Sequence, residues 1–190
     1  MQNFVKIGDI DTSAAFAEVI QANLWHADDY LRSFPQGPFG ETDSIILRFP
    51  PRTVHETEEL LKEHMKFVDI WDCKWLDVSN QLPVVKGIVF DLARHVEATR
   101  IGRVFVNRIK AGGKIFRHAD TPDHANAWCR FHVVLHAIPG VDFYCGDEMI
   151  NMTSGNVYYF ANQLEHEVQN NSGEDRIHIV VDYRCESIKA

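Results

Sequence analysis

Apolar positions in the first hundred residues recur mostly at helical spacing. One predicted helix carries a stripe of such positions: Phe16, Val19, Ile20, Leu24 and Leu31. Thr53 and Glu56 have the spacing of a capping box, which predicts the start of a second helix. A third helix is predicted over Leu82 to Val96, whereas the apolar run Ile45 to Leu47 predicts a strand that stops at Pro50-Pro51.

From Arg103 onward, short strands separated by turn residues replace this helical spacing. The predicted strands are Val104 to Ile109, Lys114 to Asp120, Arg130 to Ile138, Asp142 to Cys145, Asn156 to Phe160, His166 to Gln169 and Arg176 to Tyr183. Many short strands at this spacing favour an antiparallel jelly roll, with the early helices packed on one sheet. We therefore predict a mainly β fold in a single domain over residues 1–190. Its mainly helical part would be residues 1–100 and its jelly-roll core residues 101–185.

Composition narrows the function classes. The chain carries a net charge of −8 with neutral histidines and lacks a basic footprint, so tight nucleic-acid binding is disfavoured. No window reaches the roughly 20 apolar residues of a membrane span, and no apolar run of signal-peptide length opens the chain. The cysteines are scattered without a Cys-x-x-Cys pair: Cys73, Cys129, Cys145 and Cys185. We expect no membrane association and a cytoplasmic location.

His118-Ala119-Asp120, together with His166, is the strongest candidate for a metal site. Successive strand residues point to opposite faces, so His118 and Asp120 would share one face. A jelly roll can place a later strand opposite them, which would bring His166 into the same space. Two imidazoles and one carboxylate on one face suit ferrous iron and leave the opposite face open for chemistry.

The same tripeptide occurs at His26-Ala27-Asp28, where no metal is expected. His26 lies in the first predicted helix, in which residues two apart diverge by about 200° and cannot chelate one ion together. We predict a surface or partly buried histidine there. The remaining histidines are expected to be surface or hydrogen-bonded core residues: His55, His64, His95, His124, His136 and His178.

Two alternatives to an iron site remain open at this point. The tripeptide His118-Ala119-Asp120 could be a polar turn before Thr121-Pro122. The same ligand set also suits tetrahedral zinc. However, no His-Glu-x-x-His motif occurs, because His166-Glu167 continues as Val168-Gln169-Asn170. Zinc hydrolysis also offers no evident role for Arg176.

Arg176 lies ten residues past His166 and adds a fixed positive charge. At that offset from a metal triad, the charge suits the far carboxylate of a dicarboxylic co-substrate. An arginine beside the acidic pair Glu174-Asp175 is otherwise an ordinary solvated or salt-bridged residue. With the triad, Arg176 predicts an oxygenase that uses Fe(II), 2-oxoglutarate and O2. Arg130 and His132 share a strand face and could line the same cavity.

These residues lie in segments that resemble the aspartyl/asparaginyl β-hydroxylase family of iron(II)- and 2-oxoglutarate-dependent oxygenases. The resemblance covers roughly Ile101 to Tyr183 and, more loosely, Ser44 to Pro50. The segments that carry it are Ala111-Gly112-Gly113, His118-Ala119-Asp120, Arg130-Phe131-His132, Glu165-His166-Glu167-Val168 and Arg176-Ile177-His178-Ile179-Val180-Val181-Asp182. Their order along the chain is much more specific than any single segment.

The resemblance implies a double-stranded β-helix, which is a cupin-like jelly roll. It implies that His118 and His166 ligate iron and that Arg176 pairs with the distal carboxylate of 2-oxoglutarate. Arg130 and His132 match family positions near the co-substrate. His132 is expected close to the carboxylate next to the metal.

Asn107 and Asp120 complete the expected site. Asn107 falls where the family places a polar residue that helps hold the co-substrate. Asp120 is a departure, because the best-known animal members lack a carboxylate ligand at that position. No membrane anchor or helical-repeat region like theirs is expected, so their substrate, folded extracellular modules, is not carried over.

We expect an enzyme that hydroxylates an amino-acid residue, either free or within a peptide or protein. Decarboxylation of 2-oxoglutarate to succinate and CO2 would accompany that step. One alternative is the same enzyme class acting on a nucleobase or another small metabolite, and a second is a metal-binding jelly-roll module without oxygen chemistry. The loop Phe34 to Gly40 is either a cover for the mouth of the site or a plain surface connection.

Overall fold

Two antiparallel sheets pack against each other in the computed structural model, which describes residues 2–33, 37–51 and 72–185. Within those ranges the strands are β1 (Phe4–Asp9), β2 (Thr42–Phe49), β3 (Lys74–Trp75), β4 (Arg100–Ile109), β5 (Lys114–His118), β6 (Cys129–His136), β7 (Val141–Cys145), β8 (Glu148–Ile150), β9 (Asn156–Phe160), β10 (His166–Asn170) and β11 (Arg176–Arg184). The major sheet has the order β1-β9-β6-β11-β4-β2-β3, and the minor sheet has the order β5-β10-β7-β8. This architecture confirms the predicted mainly β, jelly-roll fold class.

Helices α1 (Ser13–Ala22) and α2 (Pro83–His95) cover the outer face of the major sheet. The other helical segments are a 3₁₀ helix (Asp77–Gln81) and the short α3 (Pro122–Ala127). Val19 of α1 and Val89 of α2 are buried in one core cluster with Ile179 of β11. None of the helices in the described ranges has the length and apolarity needed to cross a membrane.

Strand β11 has one apolar face and one face that is mostly polar. Its odd-numbered residues lie in the core beneath the helices: Ile177, Ile179, Val181 and Tyr183. Side chains alternate along a strand, so its even-numbered residues face the minor sheet: Arg176, His178, Val180 and Asp182. The Tyr183 hydroxyl donates a hydrogen bond to the Val89 carbonyl, which ties α2 to the apolar face.

Most of the predicted elements are confirmed in place. The strands predicted from Arg103 onward correspond to β4 to β7 and β9 to β11, and the helix predicted over Leu82 to Val96 corresponds to α2. The sequence pattern misses β1, β3, β8 and α3, which are too short or too polar to give a clear period. Because β1, β2 and β3 belong to the major sheet, residues 1–100 supply strands to that sheet as well as helices against it.

Helix α1 is shorter than the apolar stripe predicts. It ends at Ala22 because Asn23 adopts a left-handed conformation, with φ at 48°, which stops the helix. His26 therefore lies in an exposed turn instead of a helix. The surface prediction for His26 is correct, but the helical reason given for it is wrong. The helix predicted from Thr53 and residues 34–36 of the predicted loop lie outside the described residues.

Candidate functional site

His118 and His166 meet across a pair of neighbouring strands. β5 ends at His118 and β10 begins at His166, and the antiparallel register places these residues directly opposite each other. Their ring centroids are 4.2 Å apart. Cross-strand partners project from the same face of a sheet, so both imidazoles enter the same space.

Asp120 joins the two histidines from outside the strand. β5 stops at His118, so the strand alternation expected for His118 and Asp120 is not what places the carboxylate. Instead, the Asp120 amide donates to the Asn162 carbonyl at 3.1 Å, and the Asn162 side chain donates to Asp120 Oδ2 at 2.7 Å. As a result, ligand atoms of His118, Asp120 and His166 all lie within 4.8 Å of one another.

Hydrogen bonds to backbone carbonyls select the tautomer of both histidines. Nδ1 of His118 is 2.7 Å from the Phe116 carbonyl oxygen, and Nδ1 of His166 is 2.8 Å from that of Leu164. A carbonyl can only accept, so each Nδ1 carries the proton and each Nε2 presents its lone pair. Burial lowers the pKa of both rings, and that of His166 falls to about 4. Both imidazoles are therefore neutral at pH 7, as metal ligation requires.

A buried arginine holds Asp120 from behind. Arg130 Nη1 donates to Asp120 Oδ1 at 3.2 Å and lies 2.9 Å from Oδ2, while its Nε and Nη2 donate to the two carboxylate oxygens of Asp182 at 2.8 Å and 3.1 Å. Burial opposes all three charges, but their mutual attraction outweighs it. The pKa of each carboxyl is lowered and the pKa of Arg130 is raised. Asp120 is consequently ionised.

Three residues of this network were missed by the sequence analysis: Asp182, His124 and Asn162. Asp182 could have been found, because a carboxylate on the inward face of a buried strand needs a partner. His124, in α3, has its Nε2 at 3.1 Å from Asp182 Oδ2. Neither α3 nor the turn that contains Asn162 has a periodic pattern from which a role could be predicted. His124 is buried, which agrees with the expectation of a hydrogen-bonded core histidine.

Arg176 lies at the other end of the same space without a counter-ion. Its Nη1 donates to Asn107 Oδ1 at 3.2 Å and its Nη2 to His132 Nδ1 at 3.2 Å, while Nε is buried without a hydrogen-bond partner in the described ranges. Asn107 in turn donates to Ser44 Oγ at 3.3 Å. Among the residues that the structure describes, no carboxylate pairs with this guanidinium. Burial alone lowers the pKa of Arg176 to about 9.

One cavity connects the two ends. Its polar lining comes from the predicted site residues: Asn107, His118, Arg130, His132, His166 and Arg176. Its walls are mainly apolar, and the space within it and its opening to solvent amounts to about 380 Å³. Phe39, from the described part of the predicted loop, lines the cavity and packs edge-on against His118. The guanidinium of Arg130 lines the cavity too, although two carboxylates already engage it.

A family match agrees with this geometry. The sequence profile described as Aspartyl/Asparaginyl beta-hydroxylase matches residues 60–185. This span includes the clustered histidines, Asp120 and Arg176. The chain belongs to this family, which confirms the resemblance seen in the sequence. No curated protein matches the chain.

Solved structures resemble the chain at low sequence identity. A prolyl hydroxylase from Trichoplax adhaerens, in complex with a peptide fragment of the hypoxia inducible factor oxygen degradation domain, is 14% identical with a TM-score of 0.59. Its alignment covers 97% of this chain and 84% of that chain. An oxidoreductase of the 2OG-Fe(II) oxygenase family from Burkholderia pseudomallei is 14% identical with a TM-score of 0.47, over 93% of this chain and 91% of that chain. The prolyl hydroxylase thus shares the fold.

A further match covers much less. AerE from Microcystis aeruginosa is 16% identical with a TM-score of 0.36, and the alignment covers 43% of this chain. This chain spans only 35% of the length of AerE, and 65% of the length of a Streptococcus pyogenes protein of unknown function that also matches.

Proposed function

We propose that the protein is an Fe(II)- and 2-oxoglutarate-dependent dioxygenase that hydroxylates an amino-acid residue, either free or within a peptide or protein. The reaction would convert 2-oxoglutarate and O2 to succinate and CO2 as the substrate gains one oxygen atom. One observation carries the proposal: two clustered histidines and the uncompensated charge of Arg176 line the same cavity. Membership in a hydroxylase family supports it.

The donor set fits ferrous iron. Nε2 of His118, Nε2 of His166 and a carboxylate oxygen of Asp120 would hold the ion, a set that suits Fe(II) and leaves positions free. Both oxygens of Asp120 already accept a hydrogen bond, Oδ1 from Arg130 and Oδ2 from Asn162, so the carboxylate is held in place beside the two imidazoles. Bound iron would supply the dioxygen activation that couples oxidation of the 2-oxo acid to hydroxylation.

Arg176 would take the distal carboxylate of 2-oxoglutarate. Its charge is fully buried and meets only neutral side chains in the described part of the chain, so an incoming carboxylate would satisfy a group that the fold leaves unsatisfied. Asn107 fixes the guanidinium by accepting from Nη1. His132 lies beside it and would contact the carboxylate next to the metal.

The apolar walls would exclude water from the reacting groups. Phe143 and Phe160 pack with ring centroids 5.0 Å apart, and Phe160 lies 4.9 Å from the His166 ring. A dry surround strengthens charge interactions and limits side reactions. The substrate carbon would enter beside His118, near Phe39 at the cavity wall.

The enzyme class is tested by succinate production. Purified full-length protein, supplied with Fe(II) and ascorbate, should convert 2-oxoglutarate to succinate slowly without substrate and faster with it. Omission of Fe(II) or replacement by Zn(II) should stop the reaction. Iron-independent turnover, or no succinate under any condition, would contradict the proposal.

The substrate class is tested separately. Aerobic incubation with panels of free amino acids, peptides and nucleotides should give a mass gain of one oxygen in an amino acid or peptide. A gain confined to nucleotides would move the substrate to a nucleobase while leaving the enzyme class in place. Binding of metal with no oxygen-dependent product from any panel would favour a metal-binding module.

A further inference from the structure

His178 lies directly behind one of the residues that line the cavity. It is buried on the inward face of β11 and does not itself line the cavity. Its Nδ1 is 3.2 Å from Nδ1 of His132, and the two rings meet edge to face with centroids 5.4 Å apart. Its Nε2 is buried and has no hydrogen-bond partner in the part of the chain that the structure describes. The polar contact of His178 is therefore with His132.

The proton positions in this group follow from Arg176. A guanidinium can only donate, so His132 Nδ1, 3.2 Å from Arg176 Nη2, must accept and carries no proton. The contact between His132 Nδ1 and His178 Nδ1 then requires the proton on His178. Burial, reinforced by the charge of Arg176, lowers the pKa of both histidines, so both rings are neutral. The one proton of His132 is consequently on Nε2, which has no hydrogen-bond partner among the described residues.

We propose that His178 is a positioning residue for the co-substrate. Its Nδ1–H holds the His132 ring so that the Nε2–H of His132 donates to the 2-oxoglutarate carboxylate next to the metal. The inference rests on the proposed function, and it extends that function to a residue outside the cavity lining.

Two donors, Arg176 Nη2 and His178 Nδ1, contact the same acceptor, His132 Nδ1, and ligand binding accounts for this arrangement. A carboxylate that binds Arg176 competes with His132 for the protons of the guanidinium. His178 lies behind the cavity, so the ligand does not compete for its proton. His132 therefore keeps its tautomer and orientation when 2-oxoglutarate is bound. The arrangement leaves His178 Nε2 as a buried acceptor without a partner, which costs stability, so folding alone does not account for a histidine here.

Two variants separate this role from simple packing. His178→Phe keeps an aromatic ring but removes the donor, whereas the amide nitrogen of His178→Asn can stand where Nδ1 stands and donate. With Zn(II) as an inert metal, calorimetry should give 2-oxoglutarate binding about fivefold weaker in His178→Phe, the value of one hydrogen bond, and near wild type in His178→Asn. Stability should follow the opposite order, because asparagine leaves a cavity. A packing role would instead weaken binding more in His178→Asn, and that order overturns the proposal.

Nitrogen NMR of histidine-labelled protein reads the tautomer directly. Wild-type His132 should show a protonated Nε2 and a hydrogen-bonded, unprotonated Nδ1, with and without 2-oxoglutarate. The Nδ1 resonance should move towards that of a free imidazole nitrogen in His178→Phe and not in His178→Asn. A proton on Nδ1 of wild-type His132, or identical spectra in both variants, overturns the proposal. Absence of 2-oxoglutarate binding by the wild type would instead contradict the proposed function. The ligand-free spectra would still decide whether His178 donates to His132.

Discussion

The two ends of the cavity treat buried charge in opposite ways. At the metal end, Arg130 lies between Asp120 and Asp182 and donates to both at 3.2 Å or less. At the opposite end of the cavity, which we call the floor, Arg176 is just as deeply buried but has only neutral hydrogen-bond partners in the described ranges. The pKa of Arg130 is accordingly raised, whereas burial lowers that of Arg176 to about 9.

This contrast distinguishes structural charges from recognition charges. A complete buried ion pair holds its charged groups in place, and removing one group leaves the remaining charge buried without a partner. A buried cation without a counter-ion is a cost that a ligand of opposite charge can remove. We therefore expect substitutions at the metal end to damage the fold, and substitutions at the floor to damage ligand binding while leaving the fold intact.

The largest effect should follow loss of a metal ligand, because both metal binding and turnover depend on it. His166→Ala removes one of three ligands, so metal affinity should fall by more than the ~100-fold typical of losing a residue that only supports a ligand, and turnover should be abolished. Succinate formation and metal binding by calorimetry measure both. His26→Ala, in the exposed copy of the His-Ala-Asp tripeptide, is the matched control and should behave as wild type. Substantial coupled activity in His166→Ala would count heavily against the site.

Next in size is the effect of Arg130→Met on folding. It leaves Asp120 and Asp182 buried without their cation, which should lower the free energy of unfolding by about 3–5 kcal/mol. Chemical denaturation of metal-free protein measures this loss. Arg117→Met, which breaks the exposed pair with Glu165, is the control and should change stability little. Equal stability of both variants would remove the structural role of Arg130.

Arg176→Met should separate binding from folding. The affinity for 2-oxoglutarate should fall roughly 10- to 100-fold, because a charge-assisted hydrogen-bond pair is lost. The metal-free protein should unfold at an equal or higher denaturant concentration than wild type, since a desolvated charge has been removed. An unchanged requirement for 2-oxoglutarate would remove the recognition role. A large loss of stability would instead show that Arg176 is a structural charge.

Mild acid should produce the smallest effect. Burial, followed by the charge of Arg176, holds the pKa of His132 and His178 well below 6.5. The unfolded chain binds protons at these histidines near pH 6.5 while the folded protein does not, so the free energy of unfolding falls as pH drops. From pH 6.5 to 5.5 each should contribute a loss of roughly 1 kcal/mol. Denaturation at both pH values checks this, and His178→Phe should give a shallower slope. A slope unaffected by that substitution would mean that His178 titrates normally.

Sequence patterns could predict what depends on local periodicity and side-chain chemistry. The turn residues that separate short runs identified β11 as a strand, and the ligand types of His118 and His166 indicated their chemistry. Asp120 was selected for the wrong geometric reason, because its position depends on Asn162, which follows a distant strand. His178 was expected to be only a surface or core residue, since nothing in its neighbours reveals a contact with His132.

Two backbone features could not be predicted from the pattern of apolar residues: the end of α1 and the pairing of β1. The end of α1 depends on the left-handed conformation of Asn23, which the apolar stripe passes over. β1 pairs with β9 from the opposite end of the chain, and its short mixed sequence gives no sign of that partner. The first feature is a local cap, in which the Asn23 amide donates to the Val19 carbonyl, whereas the second is decided by tertiary packing.

The position of β5 at the rim of the minor sheet has one more consequence. An ion bridging His118 and His166 would fasten this outermost strand to β10 by a link other than the backbone ladder. Separation of β5 from β10 would then require the ion to dissociate first. Protease cleavage within Lys114–His118 should accordingly slow as the protein is loaded, which gives a gauge of metal content that needs no substrate.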